Sequence, residues 1–229
     1  MPFPTMQAVA SGSVDLNTIL GSMVDRGIWP YYDTAYVALT TSTLSAALNS
    51  TYQFFTVPNA GVDPIFSAAK NFCQTNMISS GSSNGFGATR CFILESFGFR
   101  FPSFLNKASV DSIIECANFT FQIAEKPFFQ GRLEDWPGGA GLMGVTTQTG
   151  EETWTLGLPI PQAMRRFGLK FSKYIAPQIP FYFTVSFPTA PTLTLTAAAP
   201  SGVGIVVGST TCIPFMRVVL DGLTDRAVQ

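Results

Sequence analysis

The chain contains no histidine. That absence excludes Ser-His-Asp and Cys-His catalysis, histidine-ligated zinc or haem, and the commonest general base near neutral pH. Charge is scarce as well: 12% of the 229 residues are charged, against about a quarter in an ordinary soluble domain. The 13 Lys and Arg nearly cancel the 14 Asp and Glu, leaving a net charge of −1 and no electrostatic footprint for nucleic acid. No apolar run approaches the ~18–20 residues that span a bilayer. Tyr174 to Met216 carries no charge, but Pro177, Pro180, Pro188, Pro191, Pro200 and Pro214 interrupt it. Broken backbone is costly in lipid, so this stretch reads as several strands and turns. The opening Met1-Pro2-Phe3-Pro4-Thr5-Met6 lacks the basic start and apolar core of an export signal. Cys73, Cys91, Cys116 and Cys212 form no CxxC pair and match no metal spacing. No metal or cofactor is expected, and the four are read as buried thiols.

What is present is apolar and aromatic: 46% hydrophobic residues, with 21 Phe, 20 Gly and 16 Pro. Such a chain can bury a core and is not disordered. Its dominant period is two. Arg90–Phe101 (RCFILESFGFRF) puts Cys91, Ile93, Phe97, Phe99 and Phe101 on one face, with Glu95 the odd member. Ser50–Pro58, Asn118–Ala124, Glu152–Leu158, Phe167–Ile175, Phe181–Phe187, Leu193–Ala197, Val203–Val207 and Ile213–Leu220 read as further strands, separated mostly by Pro and Gly. That pattern predicts an all-β sandwich or barrel. One or two short helices are expected. Ser109 reads as the cap of a turn or two through Asp111–Cys116, Val14–Val24 has partial helical spacing, and Pro161–Arg166 reads as one helical turn. No linker divides the chain, so residues 1–229 are expected to form one domain.

Motifs that usually carry chemistry have bland readings here. Gly81-Ser82-Ser83-Asn84-Gly85 matches GxSxG, but without histidine it reads as a turn. Gly139-Ala140-Gly141-Leu142-Met143-Gly144 matches GxGxxG, yet a β-favouring Val145–Thr149 follows where a dinucleotide site needs a helix. Glu134-Asp135, Glu151-Glu152 and Glu95 are the candidate carboxylates for glycoside chemistry. The first two pairs sit in apparent loops, and a buried Glu95 would need Arg90 or Arg100 as partner. Arg165-Arg166 with Lys170 and Lys173 is the one basic cluster, read as a solvated edge. Phe54-Phe55, Phe97/Phe99/Phe101, Phe128-Phe129 and Phe181/Phe183/Phe187 exceed what one small sandwich interior needs. With so little charge, that surplus predicts a surface covered by neighbouring subunits.

The second half carries a resemblance. Asn118–Gly131 (NFTFQIAEKPFFQG) is followed by Leu133-Glu134-Asp135-Trp136-Pro137-Gly138-Gly139-Ala140-Gly141, then Leu156–Pro161 (LGLPIP), then a β-rich segment. The chain closes on Arg217-Val218-Val219-Leu220-Asp221-Gly222-Leu223-Thr224-Asp225-Arg226-Ala227-Val228-Gln229. This order resembles the jelly-roll capsid proteins of tailless icosahedral bacteriophages, over residues 52–229. The resemblance implies a single jelly roll, with a compact double one as the alternative. It also implies residues 1–50 as an N-terminal arm or decoration and 221–229 as a C-terminal arm. The implied function is self-assembly into a virion shell in the host cytoplasm, with no catalysis. The implied partners are the chain itself and other virion proteins, with at most weak contact with genome or an internal membrane and no small-molecule substrate. Arg217, Asp221, Arg226 and Trp136 are the expected subunit-contact residues, a salt bridge within the final turn being the other explanation for the three ions. The competing reading is a phage spike, receptor-binding or lectin-like β-sandwich, for which Trp29-Pro30-Tyr31-Tyr32 and Trp136 are the hints. An enzyme working with carboxylates is the third.

Overall fold

The computed structural model describes residues 24–39, 45–65, 67–77, 85–86, 90–102, 104–133, 142–148, 151–156, 165–166, 173–195, 204–207 and 210–227. In chain order the described elements are β1 (Val24–Ile28), β2 (Tyr31–Ala38), β3 (Ser45–Ala47), β4 (Thr51–Phe54), β5 (Arg90–Arg100) and α1 (Lys107–Cys116). There follow β6 (Asn118–Ile123), β7 (Lys126–Arg132), β8 (Leu142–Gln148), β9 (Glu151–Leu156), β10 (Arg165–Arg166) and β11 (Lys173–Ile175). The last are β12 (Phe181–Ser186), β13 (Thr192–Thr194), β14 (Ile205–Val207) and β15 (Thr210–Ala227). The protein is all-β and sandwich-like, with antiparallel sheets and, among the described residues, one helix.

The 18-residue β15 is the spine of the larger sheet. Along one side run β1, from Val24 opposite Ala227 to Ile28 opposite Leu223, and β2, from Tyr31 opposite Leu220 to Ala38 opposite Cys212. They are two halves of one path, broken at Trp29-Pro30 because proline has no N–H for the ladder. Along the other side lie β5 and the short β14, and β10 and β11 pair with the far edge of β5. The second sheet runs β4-β12-β6-β7. Two small pairs, β3 with β13 and β8 with β9, complete the pairing.

Alternation makes the second sheet one-sided. Phe181, Phe183 and Val185 of β12 and Phe119, Phe121 and Ile123 of β6 are buried, with half-exposed residues between them. The Phe183 ring lies parallel to that of Phe119 at 5.4 Å. From the larger sheet, the rings of Phe97 and Phe99 reach Phe183 at 5.6 and 5.5 Å. Each buried Phe contributes roughly 1.5–3 kcal/mol by area, and each ring pair about 0.5–1.5 kcal/mol more. Most of the aromatic surplus is therefore internal. Phe54, Phe55, Phe97, Phe99, Phe101, Phe181, Phe183 and Phe187 are all buried, which removes them as evidence for a covered surface. Only Phe128 and Phe129 of the expected set reach solvent, on β7.

β5 departs from a simple alternation. Opposite it, Asp221 pairs with Ser96 but the next residue, Gly222, pairs with Leu94, leaving Glu95 as the extra residue of a bulge. A bulge reverses which side chains face inward. Phe92 and Leu94 join the core on one side of it, Phe97 and Phe99 on the other. Ile93 is thus not a core residue, and Glu95 is half-exposed rather than buried on an apolar face. The backbone approach there is close: a Cβ at position 222 would sit 1.9 Å from the Ile93 carbonyl oxygen.

Other expectations shift too. The helix starts earlier than Asp111 because Asn106, not Ser109, caps it by accepting from the Ser109 N–H at 2.8 Å. Ser109 instead ties the helix to β13, its hydroxyl accepting from Thr194 N at 2.7 Å. Arg165–Arg166 pairs with β5 and is not a helical turn. Val14–Val24 lies outside the described residues up to Val24. Of residues 1–50, Val24–Ile28, Tyr31–Ala38 and Ser45–Ala47 are strand, and of residues 221–229, Leu223 to Arg226 pair with both β1 and β5.

Gly222→Ala is expected to cost about 1–3 kcal/mol or more, because backbone rather than a flexible side chain must yield. Gly27→Ala, where no atom lies within 4 Å of the added carbon, is expected to stay within about 0.5 kcal/mol. Urea unfolding of the two variants checks this, and equal midpoints would refute the close approach.

Candidate functional site

Between Thr34 and Thr89 the sequence holds two charged residues, Asp63 and Lys70. Both lie in the connection from β4 to β5, and both are buried against Asp33 of β2. The Lys70 ammonium is 2.8 Å from Asp33 Oδ1 and 3.3 Å from Asp63 Oδ2. The three residues are 5%, 1% and 6% exposed for Lys70, Asp33 and Asp63, so water does not screen the cluster. Backbone amides supply the rest of its satisfaction. Asp33 accepts from Thr34 N at 3.0 Å and from Phe55 N at 2.7 Å, and Asp63 accepts from Ile65 N at 2.8 Å. A small hairpin presents the two loop ions: Ala60 N donates to Lys70 O, Lys70 N to Gly61 O, and Val62 bridges to Ala69. Two carboxylates share one ammonium, and burial pushes the Asp33 carboxyl above its ordinary 3.8, with Lys70 and the Phe55 and Thr34 amides opposing that rise.

The same connection covers the edge of β2. Thr75 bridges to Asp33. Asn76 accepts from Tyr32 N at 2.7 Å through its side chain and donates to Pro30 O at 2.7 Å, while Thr75 Oγ1 donates to Tyr32 O at 3.1 Å. An open strand edge thereby acquires a partner. Further along, Tyr36 and Cys212 pack with Ile65, Ala68 and Ile205. Burial raises the pKa of both the Tyr36 phenol and the Cys212 thiol.

Arg217 belongs to this assembly. Its Nε donates to Thr34 Oγ1 at 2.9 Å, its Nη2 donates to the Cys73 carbonyl, and its guanidinium lies 4.9 Å from the Tyr32 ring centroid. The Tyr32 hydroxyl in turn donates to the Phe72 carbonyl. The other expected contact residues are elsewhere. Asp221 is opposite Ser96 at the bulge, and Arg226 is opposite Arg90 and Asp25 in mid-sheet. Nine residues separate Arg217 from Arg226, roughly 30 Å at the rise of a strand, so they form no common site. Trp136 lies outside the described residues, as do Glu134-Asp135, Ser83 and Lys170. Glu151 and Glu152 pair with Gln148 and Thr147 in the β8–β9 hairpin. The Lys173 ammonium sits 5.0 Å from the Phe128 ring centroid. The glycine run that matches GxGxxG enters strand β8. Of Trp29-Pro30-Tyr31-Tyr32, Trp29 is exposed and Tyr31 is core.

Two of the cysteines correct the expectation of burial: Cys91 and Cys212 are buried, but Cys73 and Cys116 are exposed. Among the described residues no three Cys, Asp or Glu are grouped to hold a metal ion, and no helix is long and apolar enough to cross a membrane. No protein-family model matches the chain, and neither a curated protein nor a solved structure is significantly similar to it.

No local motif in the sequence marks Asp33, Asp63 and Lys70 as a unit. The available signal was their isolation, since a lone ion in a long uncharged stretch must be either solvated or paired.

Lys70→Met leaves two buried carboxylates without a cation and is expected to cost about 3–5 kcal/mol in chemical unfolding. Adding Asp33→Asn should recover part of that loss, and a further loss would contradict the pairing. The pH dependence has a definite sign. Because Asp33 is raised in the fold, its contribution is fully present below 3.8 and is lost as pH rises through the folded value. The stability of the unmodified chain relative to Asp33→Asn is expected to improve as pH falls from about 7 toward about 4. Parallel pH profiles would exclude the shift.

Proposed function

We propose that the two sheets are the halves of a jelly roll and that the protein is a self-assembling shell protein of an icosahedral bacteriophage virion. The strand order carries this reading. Counting β1–β2 as the first strand, then β4, β5, β6, β7, β10–β11, β12 and β15, the sheets run 1-8-3-6 and 2-7-4-5. That order is produced when an antiparallel ribbon of pairs 1-8, 2-7, 3-6 and 4-5 is wrapped so that alternate pairs fall in opposite sheets. Two interlocked Greek keys of this kind build capsid, lectin and cupin domains, so the order supports the fold more strongly than the function. The low charge and the resemblance of the second half favour the shell within that set. Its partners are then further copies of the chain and other virion proteins, its place the capsid, and its assembly the host cytoplasm. The β8–β9 hairpin is an insertion into the eight-strand plan.

Native mass by light scattering, with negative-stain images of the same fraction, tests the reading. Pentameric or hexameric rings, trimers or closed shells are the expected outcome. A monodisperse monomer at high concentration would overturn it. A small oligomer that binds glycans would give the architecture to a binding module instead, with exposed Trp29 as the first residue to vary.

A further inference from the structure

The Asp33–Asp63–Lys70 cluster holds one more carboxylate than an ion pair needs. The same Lys70 Nζ lies 2.8 Å from Asp33 Oδ1 and 3.3 Å from Asp63 Oδ2. Arg217 does not offset the extra acid, since its contacts are with Thr34, Cys73 and Tyr32. All three side chains are buried. The reacting faces are also fixed by backbone. Asp33 Oδ1 accepts from Thr34 N at 3.0 Å and Oδ2 from Phe55 N at 2.7 Å. Asp63 Oδ1 accepts from Ile65 N at 2.8 Å, which leaves Oδ2 for the Lys70 nitrogen. An amine and a carboxyl group in contact, out of water, are the two halves of an amide. Held side by side they react as one molecule, with an effective molarity that reaches about 10⁵–10⁸ M.

We propose that Lys70 and Asp33 condense to an intramolecular amide, with Asp63 as the proton carrier. Asp63 Oδ2 carries a proton from the ammonium to Asp33 Oδ1, both oxygens being in contact with the same nitrogen. A neutral amine then faces a neutral carboxylic acid. The amine lone pair attacks Asp33 Cγ, one covalent bond from Oδ1, and the Nζ–Cγ bond forms. The charge that gathers on Oδ2 meets the Phe55 N–H, as in an oxyanion hole. A second proton follows the same route from nitrogen to Oδ1, the Cγ–Oδ1 bond breaks, and Oδ1 departs as water. One ammonium and one carboxylate become one neutral amide and one water, with no oxidant, reductant or further reactant. Burial acts in the same direction, because it holds the Asp33 carboxyl above its ordinary 3.8, toward the acid form that an amine attacks. The ion cluster is the state before reaction. The product is a covalent link from β2 to the β4–β5 connection, across 37 positions of the chain. None of this depends on the shell reading.

The test is the intact mass of the full chain, measured in denaturant after the folded protein has stood for several days. Mass separates the two states where stability does not, since a lost ion pair and a lost covalent link both weaken the fold. The expected mass is that of the sequence less one water. Digestion is expected to yield one branched peptide that joins the segments carrying residues 33 and 70. The same chain kept unfolded from synthesis onward is expected to retain the full mass and to lose the water on refolding, because only the fold brings the groups together. Lys70→Met is expected to retain the full sequence mass. Asp63→Asn keeps both reacting groups and is expected to slow the loss of water about a hundredfold or more, the usual contribution of general acid–base catalysis. If Asp63→Asn folds poorly, the branched peptide of the unmodified chain decides by itself. A folded chain that retains the full sequence mass overturns the inference. So does a water lost without a branched peptide, the mark of ring closure within one segment such as Asp221-Gly222. A loss as fast in folded Asp63→Asn as in the unmodified chain overturns the role of Asp63. The shell reading stands or falls separately, on native mass.

Discussion

The Lys70 ammonium has nowhere to go but Asp33 and Asp63. At 5% exposure it is cut off from water, and an ammonium without water must be paired and hydrogen-bonded or it will not stay charged. Its two carboxylates come from different places, one from β2 at the edge of the larger sheet and one from the hairpin that also carries Lys70. Closing that cluster joins loop to sheet. Phe55 N, at the exit of β4, completes Asp33, so the start of the connection is tied to the same point. The cover over the β2 edge and the dry contact of Tyr36 with Ile65 and Ala68 lie on this loop and share its anchor.

A second constraint is aromatic. Phe183 is met by Phe119 within its own sheet and by Phe97 and Phe99 from the other. These rings lie in one core with buried aliphatics of both sheets, among them Leu94, Val185, Val218 and Leu220. β7 is the contrasting element. It pairs on one side with β6 and is largely exposed, yet it begins with Lys126-Pro127 and has a register shift beside Phe121 and Gln122. Lysine, proline and an irregular register are the features that discourage a strand edge from adding another chain. One edge is covered by a loop and another is blunted.

Much of this was legible as period-two alternation. β6, β12 and the middle of β15 stand close to where the alternating Phe, Ile and Val place them, since their burial is decided by one face. β1 and β2 were hidden because Trp29-Pro30 interrupts a path whose continuity is visible only opposite β15. The inward face of the first half of β5 was misplaced for a related reason. The bulge at Glu95 depends on Gly222, far along the chain, and no local pattern in RCFILESFGFRF contains it. Arg217, expected at a subunit contact, touches Thr34, Tyr32 and Cys73 of its own chain, groups far away in sequence that no local pattern links to it. The ion cluster was the least legible feature, because Asp33, Asp63 and Lys70 become a unit only after β2 and the loop have met.

Apolar side chains at positions 33, 63 and 70 together would satisfy burial as well as the three ions do, and buried ion clusters often contribute little net stability over such a joint replacement. What they contribute is discrimination. A Met or Leu is content against any apolar neighbour and tolerates several hairpin registers, whereas an ammonium is stable only where two carboxylates converge. The hairpin from Ala60 to Lys70 must therefore close in the register that presents Asp63 and Lys70 together, and must dock where Asp33 waits. Fixing that register also fixes which residues point away from it. Val62 and Ala69 are outside because their neighbours Asp63 and Lys70 are required inside, so the apolar exterior of the hairpin follows from the polar chemistry beneath it.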